Sequence, residues 1–386
     1  MSPFGNLLGV RMNLLIGPDP VALPAPLEAL ESLLEIEIVQ SDRGPSGFKI
    51  AFAIGRSGPL ELLDTPLVVD PRFNVDARVI VTMIFDIVPA VIFDGIVTER
   101  NLRPGGASGE GVLTLLGRDL SWQLDKETKQ VEHPAMDETA IAALIALSYP
   151  QYGMIPMTIP PLVVDPPIPI DRTPQQYCSD WKYLKLMARR HGYEVYIDPG
   201  PVPGTNTLYW GPPIPPGLQQ KTMSVNQGPG SDAFDIQIDH SAEELTSVEG
   251  SVQDRLSGQT VPVVAPLPTR PPLGLVPEGV RRIGSTRKKS IPTSGLNVAQ
   301  AYGRAQAEVD ASAAEPVRVT GTLNTVRYNA PLKARALVDL RGVGLTFDGT
   351  YKVSEVRHRI RPGDYVQDFT LTRSELGPKL PLVRPA

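Results

Sequence analysis

The stretch "QQYCSDWKYLKLMARRHGYEVYI", residues 175–197, holds the only cysteine of the chain, Cys178, and one of its four histidines, His191. Carboxylates, cations and aromatic rings crowd around them, the raw material of an active site. Helix logic gives the same residues other duties. Ser179 is a capping residue, its hydroxyl placed to accept a backbone N–H at the start of a helix opening at Asp180. Asp180 in the first turn, and Arg189, Arg190 and His191 in the last, complement the helix dipole. Gly192 supplies a left-handed exit, and "YEVYI" beyond it alternates as a strand. Trp181, Leu184 and Ala188 fall on one face at helical spacing, with Tyr183 and Met187 beside them. A helix N-terminus can lower a thiol pKa. Yet Cys178 and His191, at the two ends of this helix, are about 18–20 Å apart at 1.5 Å per residue. A nucleophile and its base need roughly 3 Å. The segment is therefore expected to be packing, with Cys178 inert.

The rest of the chain is read outward from this helix. Its 386 residues suit two or three domains. Forty-one prolines and 34 glycines favour many turns over long helices. One cysteine excludes an intrachain disulfide framework. A formal charge of −5 argues against a general nucleic-acid binder. The start, "MSPFGNLLGVRMNLLIGPDP", lacks a basic opening, and Gly9, Arg11 and Asn13 break its apolar run, so it does not read as an export signal. The most apolar stretch, "RVIVTMIFDIVPAVIFDGIV" (78–97), is interrupted by Asp86, Pro89 and Asp94 and is not expected to span a membrane. The expectation is a soluble protein kept in a cytoplasm, or assembled there into something larger.

Before the helix, strands dominate. "VRMNLLIG" (10–17) suits a strand. "APLEALESLLEIEIVQS" (25–41) turns from helix-favouring residues into an alternation in which Ile36 and Ile38, and Gln40 beyond them, face one way. "GFKIAFAIG" (47–55) puts Phe48, Ile50, Phe52 and Ile54 on one face. "ARVIVTMIF", "AVIFDGIVTER" and "GEGVLTLLGRD" follow, the last after the glycine-rich "RPGGASGEG". Short strands with turn signals between them read as a closed or nearly closed β unit. "DETAIAALIALSYPQYG" (137–153) then suits a helix stopped by Pro150, and a proline-rich stretch (159–174) leads to the opening helix.

After it, "TLYWGPP" and "FDIQIDHSAEELTSVEGSVQD" (234–254) suggest three strands. Six prolines in "VPVVAPLPTRPPLGLVP" (261–277) are expected to keep that segment out of any sheet or helix. With the basic "RRIGSTRKKS" it reads as a long exposed arm that contacts a neighbouring protein. "LNVAQAYGRAQAEVDASAA" (296–314) is a helix by composition and period. From Pro316 to Arg373 the pattern is β again. The resulting fold class is β-rich α+β. Its expected domains are 1–120, a first β unit; 121–233, an α/β middle; and 234–386, a second β unit with a proline-rich insertion at about 260–292.

Catalytic and metal patterns are missing. His133, His191, His240 and His358 form no HExxH and no Cys/His cluster, so no metal and no cofactor is expected. Neither G-x-S-x-G nor a P-loop occurs; Ser108 in "GGASGEG" is followed by Glu110 where the second glycine belongs. "GVGLTFDG" lies between strands and reads as a hairpin turn rather than a dinucleotide site. Asp64, Asp70, Asp76, Asp86 and Asp94 offer carboxylate pairs to a glycosidase, but each is expected at a strand end or turn, where aspartate is ordinary. His358, in an alternating strand, is expected to be a core or interface residue with a satisfied ring.

Residues 176–197 also resemble a known family. They are similar to the "Q-Y-x-x-S-D-x-x-F-x-x-R-L-x-x-x-x-G-x-x-Y" stretch of VgrG spike proteins and phage late control gene D proteins. Gln176, Tyr177, Ser179, Asp180, Tyr183, Leu186, Gly192 and Tyr196 match. Lys185 replaces the usual arginine, and Ala188-Arg189-Arg190 the usual acidic run. "VIFDGIVTERNLRPGGASGEGVLTLLGRDLSWQLD" looks like the family's "F-x-G-x-I" strand and "G-x-D" strand end, on Phe93, Gly95, Ile96, Gly117 and Asp119. "GVGLTFDGTYKVSEVRHRIRPGDYVQDFTLTR" looks like its C-terminal "G-x-Y-x-V-x-x-V-x-H" hairpin, on Gly349, Tyr351, Val353, Val356, His358, Tyr365 and Phe369. The resemblance runs over about residues 10–375 and leaves out the proline-rich arm. It implies two barrels with the fold of tail-tube subunits around the middle domain. It implies a non-enzymatic baseplate hub in a virion tail, a homotrimer between a hexameric tail tube and a trimeric spike. Because residue 386 falls short of a VgrG needle, the spike is expected to be a separate protein. Baseplate wedge and tape-measure proteins are further expected neighbours; specific nucleic-acid binding and membrane insertion are not expected. A phage-derived injection system and a tail-borne cell-wall hydrolase are the alternatives.

Overall fold

The computed structural model describes residues 10–55, 66–104, 110–162, 173–214, 217, 219–241, 245–253, 258–266, 268–269, 273–274, 276–277, 286–290, 296–311 and 315–377. In the first part the alternating stretches form strands: β1 (Val10–Pro18), β2 (Leu23–Pro24), β3 (Leu33–Ser41), β4 (Gly47–Gly55), β5 (Ala77–Phe85), β6 (Val88–Arg103) and β7 (Glu110–Asp119). The apolar phase turns inward, so Ile36, Ile38, Phe48, Ile50 and Phe52 are all buried. They join Leu14, Ile16, Phe73 and Phe85 in one core.

The middle part is built on α1 (Glu138–Leu147), β8 (Met154–Thr158), α2 (Asp180–Arg190), β9 (Glu194–Pro199) and β10 (Asn206–Gly211). β10 lies between β9, antiparallel, and β8, parallel. The helices cover this small sheet, and Trp181, Leu184, Met187 and Trp210 fill the space between.

The last part supplies β11 (Met223–Ser224), β12 (Ala233–His240), and, after an insertion, β16 (Val317–Asn324), β17 (Leu337–Arg341), β18 (Gly349–Arg361) and β19 (Asp364–Arg373). Their inner residues form a separate core around Val319, Tyr351, Val353 and Phe369. The two β parts share one sheet of 13 strands, in the order β12-β16-β19-β18-β3-β4-β7-β6-β5-β1-β2, with β17 and then β11 branching from β18. β18 makes the join. Its first residues, Gly349–Lys352, pair with β17, and Glu355–Ile360 pair antiparallel with β3. A bulge against β19 falls between Val353 and Glu355, at the point where the partner changes.

The insertion corrects one expectation. Thr260–Ala265, which contains Pro262, is a strand, β14, paired antiparallel with β13 (Leu245–Gln253); Thr286–Lys289 is β15, parallel to the other side of β13. Proline is tolerated because β14 is an edge strand, where a missing N–H breaks no ladder. Val248, Val252, Val263 and Ala265 pack on Ala301, Ala305 and Val309 of helix α3 (Val298–Ala311). Part of the expected arm is therefore a sheet with a core of its own. Residues 270–272, 278–285 and 291–295 of the arm, like the proline-rich 163–172, Asp64 and Ser108, lie outside the described residues.

Candidate functional site

The start of α2 is held by a buried polar knot. Gln176 and Asp180 are both buried. The Gln176 Nε2 donates to the Cys178 carbonyl at 3.0 Å and to Asp180 Oδ1 at 2.7 Å. The other Asp180 oxygen accepts from Lys129 Nζ at 2.6 Å and from the Tyr149 hydroxyl at 2.7 Å. Burial and Asp180 together push the Tyr149 hydroxyl far above its ordinary pKa. The Ser179 hydroxyl accepts the Lys182 N–H at 3.4 Å and donates to Asp125. Trp181 and Leu184 are buried in the middle core, and Lys185 lies over the Trp181 ring at 5.0 Å. Tyr183 stacks on His133 at 5.8 Å. At the far end Arg190 and His191 both bind Glu138, the His191 Nε2 at 2.6 Å. Burial opposes that charge, but these partners hold the Glu138 carboxyl below the usual carboxylate range. Tyr177 and Leu186, two of the matched residues, are exposed, and the Tyr177 hydroxyl donates to Gln175 at 2.7 Å.

Tyr196 leads to a junction where all three parts meet. Its ring stacks on Tyr209 at 4.7 Å and carries the Arg335 guanidinium at 4.2 Å. Arg335 also binds Asp198 of β9 at 3.0 Å and the Ser41 carbonyl of β3. Nearby, the buried Lys352 of β18 binds Asp42 at 2.9 Å and Glu194 at 2.8 Å. Asp42 additionally exchanges two hydrogen bonds with Ser354, at the change of partner in β18. Burial raises the Glu194 and Asp198 carboxyl pKa values against the pull of Lys352 and Arg335. Burial works to lower the Lys352 pKa, but Glu194 and Asp42 outweigh it and raise it. A cavity of about 330 Å³ adjoins the cluster, lined in part by Asp42, Asp119, Trp181 and Arg335.

A second junction corrects the expectation for Asp94. It lies inside β6, not at a strand end, and is buried. Arg78 meets it with two hydrogen bonds, at 2.9 and 2.7 Å, and Asn206 of β10 donates to it at 2.9 Å. Asp70, Asp76 and Asp86 are in caps and turns, as expected: Asp70 caps Pro71–Phe73, while Asp76 and Asp86 have φ of 67° and 54°. The matched glycines mark close approaches. A Cβ on Gly95 would lie 2.2 Å from the Arg118 carbonyl oxygen, and one on Gly117 2.2 Å from the Phe48 ring. Asp119 accepts the Ser46 N–H at 2.7 Å and binds Ser121; burial raises its pKa.

In the C-terminal hairpin, Gly349 opens β18 and Tyr351 is buried under Arg373, 4.3 Å above its ring. His358 is fully buried, and its Nδ1 faces the Tyr365 hydroxyl at 2.9 Å. Its Nε2 has no hydrogen-bond partner, so the expectation of a satisfied ring holds for one nitrogen only. Burial pulls its pKa down to about 3, leaving the ring neutral.

The matched residues thus fall into three places, the α2 knot with Tyr196, the β6–β7 pair with Gly95, Gly117 and Asp119, and the β18–β19 hairpin. Lys352, Arg335, Asp42, Glu194 and Asp198, which join them, were not found from the sequence. Lys352 falls on the polar phase of its strand, with Thr350 and Ser354, so alternation gave no sign that it is buried. Among the described residues no group of three or more His, Cys, Asp or Glu side chains is arranged to hold a metal. No helix among them is long and apolar enough to cross a membrane. Cys178 is half-buried and free, and it packs on the middle core.

No protein-family model matches the sequence, and no curated protein matches it. Solved structures match in fold. The chain is similar to the tail protein from Neisseria meningitidis MC58, with a TM-score of 0.61 and 14% identity over 95% of this chain and 97% of that one. It is equally similar to the 43 kDa tail protein of prophage MuSo2 from Shewanella oneidensis, with a TM-score of 0.61 and 12% identity over 95% and 98%. A chain of the half-lidded Francisella PdpA–VgrG complex matches with a TM-score of 0.56 and 8% identity; 98% of this chain and 60% of that one are covered. At such identities the shared property is the fold. This chain has the β-rich fold of phage tail and VgrG-type proteins, and the likeness extends over nearly its whole described length.

Proposed function

We propose that the chain is a structural, non-enzymatic hub of a contractile tail baseplate, acting as a homotrimer. The observation that supports this reading is the pair of β units, each with its own core, joined edge to edge in one sheet. In this reading each unit is a tube-like barrel, and three chains present six. A trimer doubled in this way meets a sixfold tail tube on one side and a threefold spike on the other. Wedge and tape-measure proteins are the remaining neighbours. The work of the protein then lies in shape and interfaces, consistent with side chains that are committed to holding the units together. Its place is the virion tail, reached by assembly in the host cytoplasm.

The test is to purify the chain with its tube and spike partners and weigh the complex by native mass spectrometry. Three copies per complex are expected; a stable hexamer, or a monomer that supports infection, overturns the reading. The fold likeness to a VgrG complex favours a second setting for the same hub, a phage-derived injection system. Particles that carry no packaged DNA would identify that setting.

A further inference from the structure

We propose that the outer edge of β12 pairs with residues 99–103 of β6 in a second copy of this chain, repeating between chains the join that β3 and β18 make within one. The two β units share a strand order, β3-β4-β7-β6-β5 in the first and β12-β16-β19-β18-β17 in the second. β6 and β18 each carry a bulge, between Val97 and Glu99 and between Val353 and Glu355. Beside each bulge stands a left-handed residue, Asp76 with φ of 67° and Arg335 with φ of 69°. The Asp76 N–H donates to the Val97 carbonyl at 2.8 Å, and the Arg335 N–H to the Val353 carbonyl at 2.7 Å. The register agrees strand by strand. Val97 opposes Gly117, which opposes Phe48, which opposes Ile38. Val353 opposes Leu371, which opposes Val319, which opposes Ile238. β12 is thus the counterpart of β3, and β6 of β18.

One join of this kind is made inside the chain. Beyond its bulge β18 pairs with β3, with His358 opposite Ile38. His358, Ile36 and Ile38 are all fully buried there, and Ile360 and Tyr365 complete the core of the first unit. The counterpart edges have no partner strand among the described residues: β5 leaves β6 at Ile96, and β12 ends the sheet. Their side chains differ accordingly. Leu102, in the place of His358, is 48% exposed. Ile236 and Ile238, in the places of Ile36 and Ile38, are only half-buried. A cavity of about 630 Å³, lined in part by Phe234, Ile236, Ile238 and Val343, opens beside them. A free strand edge with apolar side chains is a template for another strand. Carrying over the register of the internal join sets Leu102 opposite Ile238 and Asn101 opposite Asp239. The contact joins unlike edges, so it repeats from copy to copy around a ring. The number of copies, three, rests on the hub reading.

The experiment combines Asn101→Cys with Asp239→Cys, in a Cys178→Ser background, in the complex purified with tube and spike proteins. Directly opposed residues have Cβ atoms about 4.5–5.5 Å apart, within reach of a disulfide. Mild oxidation should convert the monomer band of a denaturing gel into a covalent trimer. Either substitution alone should give no covalent species, and neither should Asn101→Cys with Ile238→Cys, which point to opposite faces. Leu102→Asp should leave the melting temperature of the isolated chain unchanged and abolish the three-copy complex. A complex of three copies that forms no disulfide between positions 101 and 239, or that survives Leu102→Asp, overturns this pairing and leaves the hub reading standing. Disulfide-linked copies in a complex of any other number support the pairing and overturn the hub reading.

Discussion

His358 stands where two cores meet. The inward side chains of β18 run Val356, His358, Ile360, and those of β19 run Phe369, Gln367, Tyr365. Val356 and Phe369 belong to the second core, Ile360 and Tyr365 to the first. His358 and Gln367, paired in register and both fully buried, form a polar step between them. Gln367 is well satisfied, accepting the Leu332 N–H at 2.6 Å and donating to Thr325 at 3.0 Å. Alternation in the sequence told that His358 points inward, but not that its neighbours belong to different cores. The consequence is a pH dependence. With a folded pKa of about 3 against 6.5 unfolded, the unfolded chain binds the proton more tightly. The stability tied to a neutral ring is therefore present above pH 6.5 and is lost as pH falls towards 3. The slope is at most about 1.4 kcal/mol per pH unit. The raised carboxyls Glu194, Asp198 and Asp119 act in the opposite sense, favouring the folded state as they take up protons. Comparison with His358→Gln cancels them. Urea midpoints at pH 7, 6, 5 and 4 should show the acid loss reduced in the variant; a constant gap between the two proteins counts against the neutral buried ring.

At the scale of elements, α2 and the insertion show why a local pattern succeeds in one place and fails in another. The helix was legible to within a residue of each end because cap, dipole charges and glycine exit are all local. Gly192 has φ of 65°, and a Cβ there would lie 2.9 Å from the Ala307 carbonyl oxygen on α3. Gly192→Ala should therefore cost about 1–2 kcal/mol from the left-handed backbone, with further loss from parting α3 and α2, measurable by chemical denaturation. A change below about 0.5 kcal/mol would mean that α3 does not rest there. The insertion was misread because proline content was taken as a property of the segment, whereas the position of a strand in its sheet decides the matter. Its limits follow from β12 and β16, which pair directly from Ala233–Leu323 to His240–Val317. Replacing 242–315 with a short glycine-rich turn should leave a folded chain with one cooperative melt. Deleting only 262–290 should behave worse, because it strips cover from Ala301, Ala305 and Val309 and invites aggregation. If the larger deletion is the one that unfolds the protein, the insertion is part of the main fold.

Across the whole molecule, what the strand patterns could not show is how the pieces join. The pairing of β3 with β18 brings Glu35 and Arg361 to 2.8 Å across more than 300 residues of chain. No local signal encodes such a pairing; it rests on matched alternation in two distant strands and on the ionic junction beside them. That junction is asymmetric in cost. Lys352 is buried and shared by Asp42 from the first part and Glu194 from the middle. Removing a shared buried cation leaves two carboxylates without their partner, which typically costs about 3–5 kcal/mol. Lys352→Met should therefore destabilise by that amount and separate the unfolding of the middle part from that of the sheet, turning one denaturant transition into two. Adding Asp42→Asn and Glu194→Gln removes the stranded charges. The triple variant should recover most of the stability, because the methionine stem still fills the space of the lysine stem. Denaturation followed by tryptophan fluorescence, which reports on the middle part through Trp181 and Trp210, and by far-UV circular dichroism, which reports on the sheet, tests both claims. Coincident transitions and wild-type stability in Lys352→Met would show that strand pairing alone unites the three parts.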